Sequence, residues 1–249
     1  MAVDVLCMMA HPDDAEILCG GTLIRCVDQG YRVGIVDFSR GEMGSRGTVE
    51  TRAQEACRAS GLIGIHDRLN LGLPDALIEN TPENRRPVIE AIRSLRPKIV
   101  ITHDEGNRNP DHTHTSMLVR EACFTAGLVK YDTGQQPHRP AKILFTMEYF
   151  AIKPDFYIDI SEQFERKMEA IACYRSQTHN TGFDGPETYI SSDRFTREME
   201  ARMRWFGSRI HVDYAEAFRM DTAVEIRDLV TEIGERALIP GQHFNGEGA

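Results

Sequence analysis

The sequence lacks the features that mark several classes of protein. It contains no long run of lysines or arginines, and its formal net charge is −9. A nucleic-acid-binding domain usually carries a basic face, so this class is excluded. No apolar run approaches the roughly 18 residues needed to span a bilayer, and the N-terminus lacks the basic head and cleavage site of a secretory signal. We therefore expect a cytoplasmic protein with no membrane and no nucleic-acid partner.

A cysteine framework is also missing. The six cysteines include no C-x-x-C pair, so the spacing of a zinc finger or a thioredoxin is absent. Most of them stand among apolar or helical residues, where a free thiol behaves as a small hydrophobe. We expect reduced, structural cysteines. Cys7 and Cys19 flank the motif described below, so a position near a site stays open for either.

No repeat, low-complexity block or convincing linker divides the chain. At 249 residues, with 41% hydrophobic and 27% charged residues, it is long enough to bury a full core as one α/β domain. We predict that this domain spans residues 1–239. The last ten residues, 240–249, contain two glycines near their tip and are predicted to form a flexible tail.

Short apolar runs alternate with helical patterns along the first half of the chain. We predict strands at 3–9, 32–38, 68–71 and 98–102, and helices from Thr22 to about residue 30, then at 50–60, 81–95 and 115–126. The second half adds strands at 142–147 and 155–160 and helices at 161–175 and 193–206, and we expect residues 212–218 to close the fold. Such alternation predicts a Rossmann-like α/β fold, with a mostly parallel sheet and helices on both faces.

Two polar motifs follow predicted strands. The first, MMAHPDDAEILCGG, places His11, Asp13 and Asp14 directly after the first strand. In open α/β sheets, ligands bind at such strand ends. A His and an Asp three positions apart can hold one divalent cation and leave the neighbouring Asp free to act on water. The second motif follows strand 98–102 and offers His112 or His114 as a third ligand. From spacing alone, surface or helix-capping histidines remain an equal alternative.

These motifs carry a resemblance to a known family. HPDDAE, GGT, the helix with Arg52 and Glu55, LGLPD and the later PDH are similar to the LmbE-like (PIG-L-type) family of zinc-dependent N-acetylglucosamine deacetylases. HRPAK, KPDFYIDIS, YRSQ and DYAEAF extend the similarity to about Phe218. They resemble in particular the deacetylases of bacillithiol biosynthesis, which act on N-acetylglucosaminyl malate. The resemblance also implies a homo-oligomer.

The resemblance implies roles for the motif residues. His11, Asp14 and His112 match the zinc ligands, and Asp13 matches the general base that activates a zinc-bound water. Asp111 stands beside a ligand and is expected to orient the site. A set of two histidines and one aspartate also suits Fe2+, Mn2+ or Co2+.

One position departs from the family pattern. The residue before PDH is normally a His that polarises the amide carbonyl or stabilises the oxyanion, and here it is Asn109. An Asn side chain can donate a hydrogen bond but cannot carry a positive charge. Three outcomes are open: Asn109 performs a weaker version of this role, His114 or Arg139 compensates, or the activity differs.

Further positions match residues that line the sugar pocket of the resembling enzymes. Arg52 and Arg139 are expected to anchor sugar hydroxyls or a carboxylate, with a surface salt bridge as the alternative for each. Asp75 and, more weakly, Glu42 are assigned to substrate binding. Tyr189 is expected to donate to the tetrahedral intermediate.

We therefore expect a zinc-dependent deacetylase of a small N-acetylated amino-sugar, with N-acetylglucosaminyl malate as the favoured substrate. An amidase acting on a thiol conjugate or another N-acetylglucosamine derivative is the nearest alternative. A family member that holds zinc but has impaired activity because of Asn109 is another. A nucleotide-binding module is disfavoured, because the first strand is not followed by G-x-G-x-x-G.

Overall fold

The computed structural model describes residues 2–148, 153–179, 182 and 185–234. Within them, one sheet contains the strands β1 Val5–Met9, β2 Val33–Asp37, β3 Asp67–Asn70, β4 Ile99–His103, β5 Lys142–Thr146, β6 Phe156–Asp159 and β7 Ala215–Met220. The helices are α1 Asp14–Asp28, α2 Val49–Ile63, α3 Pro82–Leu95, α4 Pro110–Ala126, α5 Phe164–Ala172 and α6 Asp193–Ser208, followed by a π-helical turn at Val230–Gly234.

The strand order is β3-β2-β1-β4-β5-β7-β6. The first five strands are parallel, and β7 runs antiparallel to both β5 and β6. From β1 the chain passes to β2 and β3 on one side, and later returns to β4 on the other side. The predicted Rossmann-like α/β fold is confirmed. Its topological switch point lies at the carboxyl ends of the neighbouring strands β1 and β4.

Strand β1 is buried on both faces, which explains its unbroken apolar sequence. Leu6 and Met8 pack towards α3 and α4, whereas Cys7 and Met9 pack towards α1, α2 and α5. The centre of the sheet is therefore covered by helices on both sides, which leaves the loops at the ends of β1 open to form a site. In the described part of the chain, no helix has the length and apolar character needed to cross a membrane.

Helix α1 differs from its prediction. It begins at Asp14, well before the predicted start at Thr22, and it is interrupted at Cys19, where φ is −143°. After the break, the N–H groups of Gly21 and Thr22 donate to the Glu216 carboxylate at 3.0 and 2.8 Å. The predicted Thr22 cap is therefore wrong, because a carboxylate from β7 caps this half of the helix.

The Glu216 carboxylate is balanced by a buried lysine. The Lys167 ammonium group donates to Glu216 Oε1 at 2.6 Å and to the Ile17 carbonyl at 3.0 Å. Both charged side chains are almost fully excluded from solvent. The Ile160 side chain packs so closely that a Cβ at Gly21 would lie 2.7 Å from it. This cluster therefore holds the two halves of α1 against β7 and α5.

Helix α4 also begins earlier than predicted, at Pro110 instead of Thr115. The Asn109 side chain accepts a hydrogen bond from the Asp111 N–H at 3.0 Å and forms the N-cap, and a proline at the first helical position favours this start. His112 and His114 consequently lie in the first turns of a helix and not in a loop. Helix α5 is shorter than the predicted 161–175. The predicted tail, 240–249, lies outside the described residues, and the domain limit at 239 stays a prediction.

The buried ion pair predicts a large change in stability. Replacing Lys167 by Met leaves the Glu216 carboxylate buried without its cation, so we expect the free energy of unfolding to fall by about 3–5 kcal/mol. Urea unfolding measures this change. Arg166→Met is the matched control, because the neighbouring Arg166 pairs with Asp28 at the surface and should contribute at most about 1 kcal/mol. Equal losses in the two variants would contradict the structural role of the pair.

Candidate active site

The candidate site lies at the switch point. His11, Asp13 and Asp14 follow β1 and enter α1, while His103 ends β4. His112 projects from the first turns of α4, which follows β4. Since β1 and β4 are parallel neighbours, their carboxyl ends bring these side chains to one edge of the sheet.

Three side chains converge here with the geometry of a metal centre. His11 Nδ1 lies 3.2 Å from Asp14 Oδ2, and His112 Nε2 lies 3.3 Å from both His11 Nδ1 and Asp14 Oδ1. Two imidazole nitrogens facing each other beside a carboxylate form a donor set that a divalent cation can bridge. Two histidines and one aspartate are typical ligands of a hydrolytic metal site, which keeps a further position open. The residues present therefore fit a metal ion.

The other ring nitrogen of His11 has carboxylate partners. His11 Nε2 lies 3.1 Å from Asp75 Oδ1 and 3.3 Å from Asp111 Oδ2. Backbone N–H groups hold both acids, from Met43 to Asp75 at 2.8 Å and from Ala76 to Asp111 at 2.7 Å. A ligating His commonly donates its second N–H to such a carboxylate, which fixes its tautomer and orientation. Asp75 and Asp111 therefore direct His11 Nδ1 towards Asp14 and His112.

Charges around the three side chains favour this arrangement. Burial opposes ionisation of Asp14, but the surrounding imidazoles outweigh it and hold its pKa well below the usual range. Burial likewise opposes protonation of His11, but the neighbouring carboxylates keep its pKa well above the usual range. Asp14 is therefore the ionised member of the group, as a metal-ligating carboxylate must be.

Asp13 is buried beside the three side chains. Arg52 Nη2 donates to Asp13 Oδ2 at 2.6 Å, and Arg52 Nε donates to the Pro12 carbonyl at 3.1 Å. Burial raises the pKa of Asp13 to about 6, against the opposing effect of Arg52. Asp13 also has φ +130°, a strained conformation that costs on the order of 1–3 kcal/mol and is often found at functional sites. The fold thus holds a buried, ion-paired carboxyl group directly beside the three side chains.

Two adjoining cavities of about 130 and 390 Å³ open at these residues. Both are lined by His11, Arg52, Arg108, Asn109 and Tyr189. Tyr189 is half exposed, its hydroxyl donates to Glu198 at 2.6 Å, and its ring lies 5.7 Å from the Arg108 guanidinium carbon. Asn109 reaches the cavities, but its side-chain oxygen is used in the α4 cap.

The remaining predicted residues lie at different distances from the centre. Glu42 Oε1 accepts the N–H of Asp75 at 2.9 Å, so Glu42 supports the loop that carries Asp75. His114 contacts the Ile78 carbonyl through Nδ1 at 2.6 Å. The structure does not bring Arg139 to the site of the same chain. Arg139 precedes β5 and therefore lies at the amino ends of the parallel strands, whereas the site lies at their carboxyl ends. Its Nη2 donates to the Phe124 carbonyl at 2.8 Å.

His103, which the sequence pattern indicates only as a structural or surface residue, lies beside the candidate centre. Its Nε2 accepts the Ala10 N–H at 3.1 Å, and its ring stacks on His112 at 3.9 Å between centroids. Burial lowers its pKa to about 4, so the ring is a neutral support for His112. Its position at the end of β4 was the signal that could have identified it.

A larger apolar cleft of about 410 Å³ lies between α2 and β3, on the other side of Pro12. Among the charged side chains that line it, Asp37 and Arg68 pair with each other at 2.8 Å. Its lining contains none of the three candidate ligands, so we do not assign the chemistry to it.

A Rossmann-like sheet that brings two histidines and an aspartate together at its switch point defines the class as an α/β protein with a candidate metal centre. The family model PIG-L, described as GlcNAc-PI de-N-acetylase, matches residues 6–123. Diacetylchitobiose deacetylase from Thermococcus kodakarensis is 33% identical over 75% of this chain and 74% of its own. A probable N-acetyl-alpha-D-glucosaminyl L-malate deacetylase 2 from Bacillus cereus is 31% identical over 70% and 83%.

A solved structure agrees with these relatives. The conserved protein TT1542 from Thermus thermophilus superposes with a TM-score of 0.82 at 36% identity, over 90% of this chain and 97% of the other. The chain belongs to the PIG-L, or LmbE-like, family of deacetylases, which hydrolyse amide bonds and are generally metal-dependent. The resemblance stated from the motifs is confirmed.

The two histidines on α4 give a direct test of the metal centre. His112→Ala removes a candidate ligand, so we expect loss of stoichiometric binding of a divalent metal in equilibrium dialysis. His114→Ala, two positions further along the same helix, is the control and should bind as the unmodified protein does. If His112→Ala still binds the metal, the proposed centre is contradicted. If only His114→Ala loses binding, the third ligand is His114 and not His112.

Proposed function

We propose that this chain is a zinc-dependent N-deacetylase that removes the acetyl group from an N-acetylglucosamine conjugate. The observation that carries the proposal is the convergence of His11, Asp14 and His112 beside the buried carboxyl group of Asp13. Two relatives named as deacetylases of N-acetylated amino-sugars support it. Cytoplasmic location and homo-oligomeric assembly remain predictions.

His11 Nδ1, His112 Nε2 and Asp14 would hold the metal. When bound, the metal supplies a Lewis acid that polarises the amide carbonyl and lowers the pKa of water. Fe2+, Mn2+ and Co2+ suit the same three ligands. The carboxylates of Asp75 and Asp111 keep His11 oriented, and the stacked ring of His103 supports His112.

Asp13 moves the proton in this proposal. Its carboxylate takes a proton from the attacking water, and the protonated acid then donates it to the leaving nitrogen as the C–N bond breaks. The products are acetate and the free amine. A divalent cation beside Asp13 would favour its ionised form, which is the form a base needs, and the Arg52 ion pair holds the carboxyl group in place throughout.

Asn109 is proposed to stabilise the oxyanion. Its Oδ1 is occupied by the Asp111 N–H, so its side-chain NH2 group remains to donate towards the developing negative charge. A neutral amide donor is weaker than a charged imidazolium. Tyr189 lines the same cavities, and we propose its hydroxyl as a second donor once it leaves Glu198.

N-acetylglucosaminyl malate remains the proposed substrate. Arg108 lines both cavities, and its guanidinium group has no carboxylate partner within the described ranges, which favours an acidic aglycone. Arg52 is already paired with Asp13, so Arg108 is better placed to meet such a group. Diacetylchitobiose is the second candidate, because the 33%-identical relative is named for it.

An assay for released amine tests the proposal. Zinc-loaded protein is incubated with N-acetylglucosaminyl malate, diacetylchitobiose and an N-acetylglucosamine thiol conjugate, and fluorescamine reports the free amine. We expect the highest kcat/KM for the malate conjugate. If diacetylchitobiose or the thiol conjugate is preferred, the substrate assignment is wrong but the deacetylase assignment stands. No amine from any of them, with zinc bound, would overturn the deacetylase assignment.

Asp13→Asn should separate metal binding from turnover. The amide keeps the size of the side chain but cannot accept the proton, so we expect kcat to fall by about 10²–10⁴-fold with zinc content unchanged. Metal analysis and the amine assay on the same sample measure both properties. Near-normal turnover would show that Asp13 is not the base.

Asn109→His should increase turnover and decrease stability. The imidazole can carry positive charge near the oxyanion, whereas removal of the Asn cap of α4 costs about 1 kcal/mol. We expect a higher kcat together with a lower Tm. Unchanged or slower turnover would show that Asn109 does not limit catalysis.

A further inference from the structure

One ring nitrogen of the candidate metal centre lacks a partner. His112 Nδ1 is fully buried and has no hydrogen bond to any residue in the described ranges. His112 Nε2 faces Asp14 and His11 at 3.3 Å. If Nε2 holds the metal, Nδ1 must carry the proton, and a buried N–H without an acceptor costs about 1–3 kcal/mol. His11 has no such deficit, because Asp75 and Asp111 face its second nitrogen.

Glu148 is the carboxylate placed to meet this nitrogen. It follows β5, and its Oε2 lies 3.9 Å from His112 Nδ1. The Asn107 side-chain NH2 donates to the same Oε2 at 2.5 Å, and Arg202 Nη1 donates to the Glu148 carbonyl at 3.1 Å. Glu148 and Asn107 line the same cavity as His112. This contact is longer than a hydrogen bond, so the pairing requires the carboxylate to rotate towards the ring.

The surroundings of His112 restrict the alternatives. His103 stacks on one face of the ring at 3.9 Å with an interplanar angle of 13°, so the ring can adjust mainly within its own plane. His103 Nε2 accepts the Ala10 N–H, so the proton of this ring lies on Nδ1 and His103 has no free nitrogen to accept the His112 Nδ1–H. Within the described part of the chain, Glu148 is the only acid that lies within 4.0 Å of His112 Nδ1.

We propose that Glu148 is the positioning residue of His112, accepting its Nδ1–H when Nε2 holds the metal, and that Asn107 orients Glu148. This proposal rests on the proposed metal-dependent function. The carboxylate fixes the tautomer with a lone pair on Nε2 and increases the basicity of that nitrogen. The centre then has a supporting carboxylate on each histidine: Asp75 and Asp111 on His11, and Glu148 on His112.

Metal affinity is the primary test, because it is measured without turnover. Competition with a chromophoric chelator gives the zinc Kd of each variant. We expect Glu148→Ala to bind zinc about 10–100-fold more weakly. Glu148→Gln should be intermediate, since its amide oxygen still accepts a hydrogen bond but carries no charge. Glu105→Ala is the control, because Glu105 pairs with Arg120 at the surface and should leave the Kd unchanged.

Asn107→Ala and the double variant test the orienting contact. Asn107→Ala should weaken zinc binding in the same direction but less strongly than Glu148→Ala. The double variant should bind no more weakly than Glu148→Ala alone, because Asn107 acts through Glu148. Proton NMR of the zinc form should show a downfield imidazole N–H resonance that is lost in Glu148→Ala and retained in Glu105→Ala. Tm values identify any variant that has lost its fold.

The outcomes separate this proposal from the proposed function. If His112→Ala loses zinc while folded Glu148→Ala keeps the original Kd and the N–H resonance, the metal centre stands and the role of Glu148 is wrong. If His112→Ala also keeps zinc, the metal centre itself fails. If Glu148→Gln binds zinc as weakly as Glu148→Ala and both variants lose the resonance, the contact is still supported. Its effect is then due to the negative charge of Glu148.

Discussion

The divergence of two parallel neighbours, β1 and β4, is the constraint on which the rest of the structure depends. Because the connections from these strands leave towards opposite sides of the sheet, a crevice opens beyond their carboxyl ends. The strands themselves are buried on both faces and leave no room for polar chemistry. The candidate metal ligands and Asp13 therefore stand on the loop after β1 or on the first turns of the helices that follow β1 and β4.

The carboxylates gathered at the carboxyl ends of the strands need charged or hydrogen-bonding partners, because an unpaired buried charge is costly. Asp13 is paired with Arg52, and the carboxylates on His11 are held by backbone N–H groups. Further along α1, the break at Cys19 separates the first turn, which carries Asp14, from the half that Glu216 caps. The buried Lys167 offsets Glu216, so the position of the first turn depends on contacts with β7 and α5. Support for the candidate centre thus extends into the antiparallel end of the sheet.

Local sequence patterns predicted much of the fold and the membership of the candidate site. The alternation of apolar runs and helical segments predicted the α/β sheet, and the family motifs selected His11, Asp14 and His112, which lie together in the structure. The starts of α1 and α4 were predicted too late for different reasons. The glycine pair after Cys19 marks a break within α1, capped by a carboxylate that is distant in sequence. For α4, the cap is local, and the Asn109-Pro110 pair is a start signal that a helix beginning at Thr115 does not use.

Arg139 and Glu148 show the limit of motif reasoning in opposite directions. Arg139 stands in a matching motif, yet its segment precedes β5 and lies at the edge of the sheet remote from the site. Glu148 stands in no motif that indicated chemistry, yet it follows the same strand and emerges at the site. A residue's position before or after a parallel strand decides which edge it reaches, and a motif does not record that position.

The sequence by itself determined the class of fold, the family and the types of side chain offered to a metal, because these depend on periodicity and on short motifs. Only the tertiary structure decided which nitrogen of each histidine faces the centre, which carboxylates support the ligands, and that His103 stacks on His112. These contacts join residues on β1, β4, α4 and the loop after β5. Their distances depend on strand order and on how buried charges are paired, and neither is encoded in any one segment of the chain.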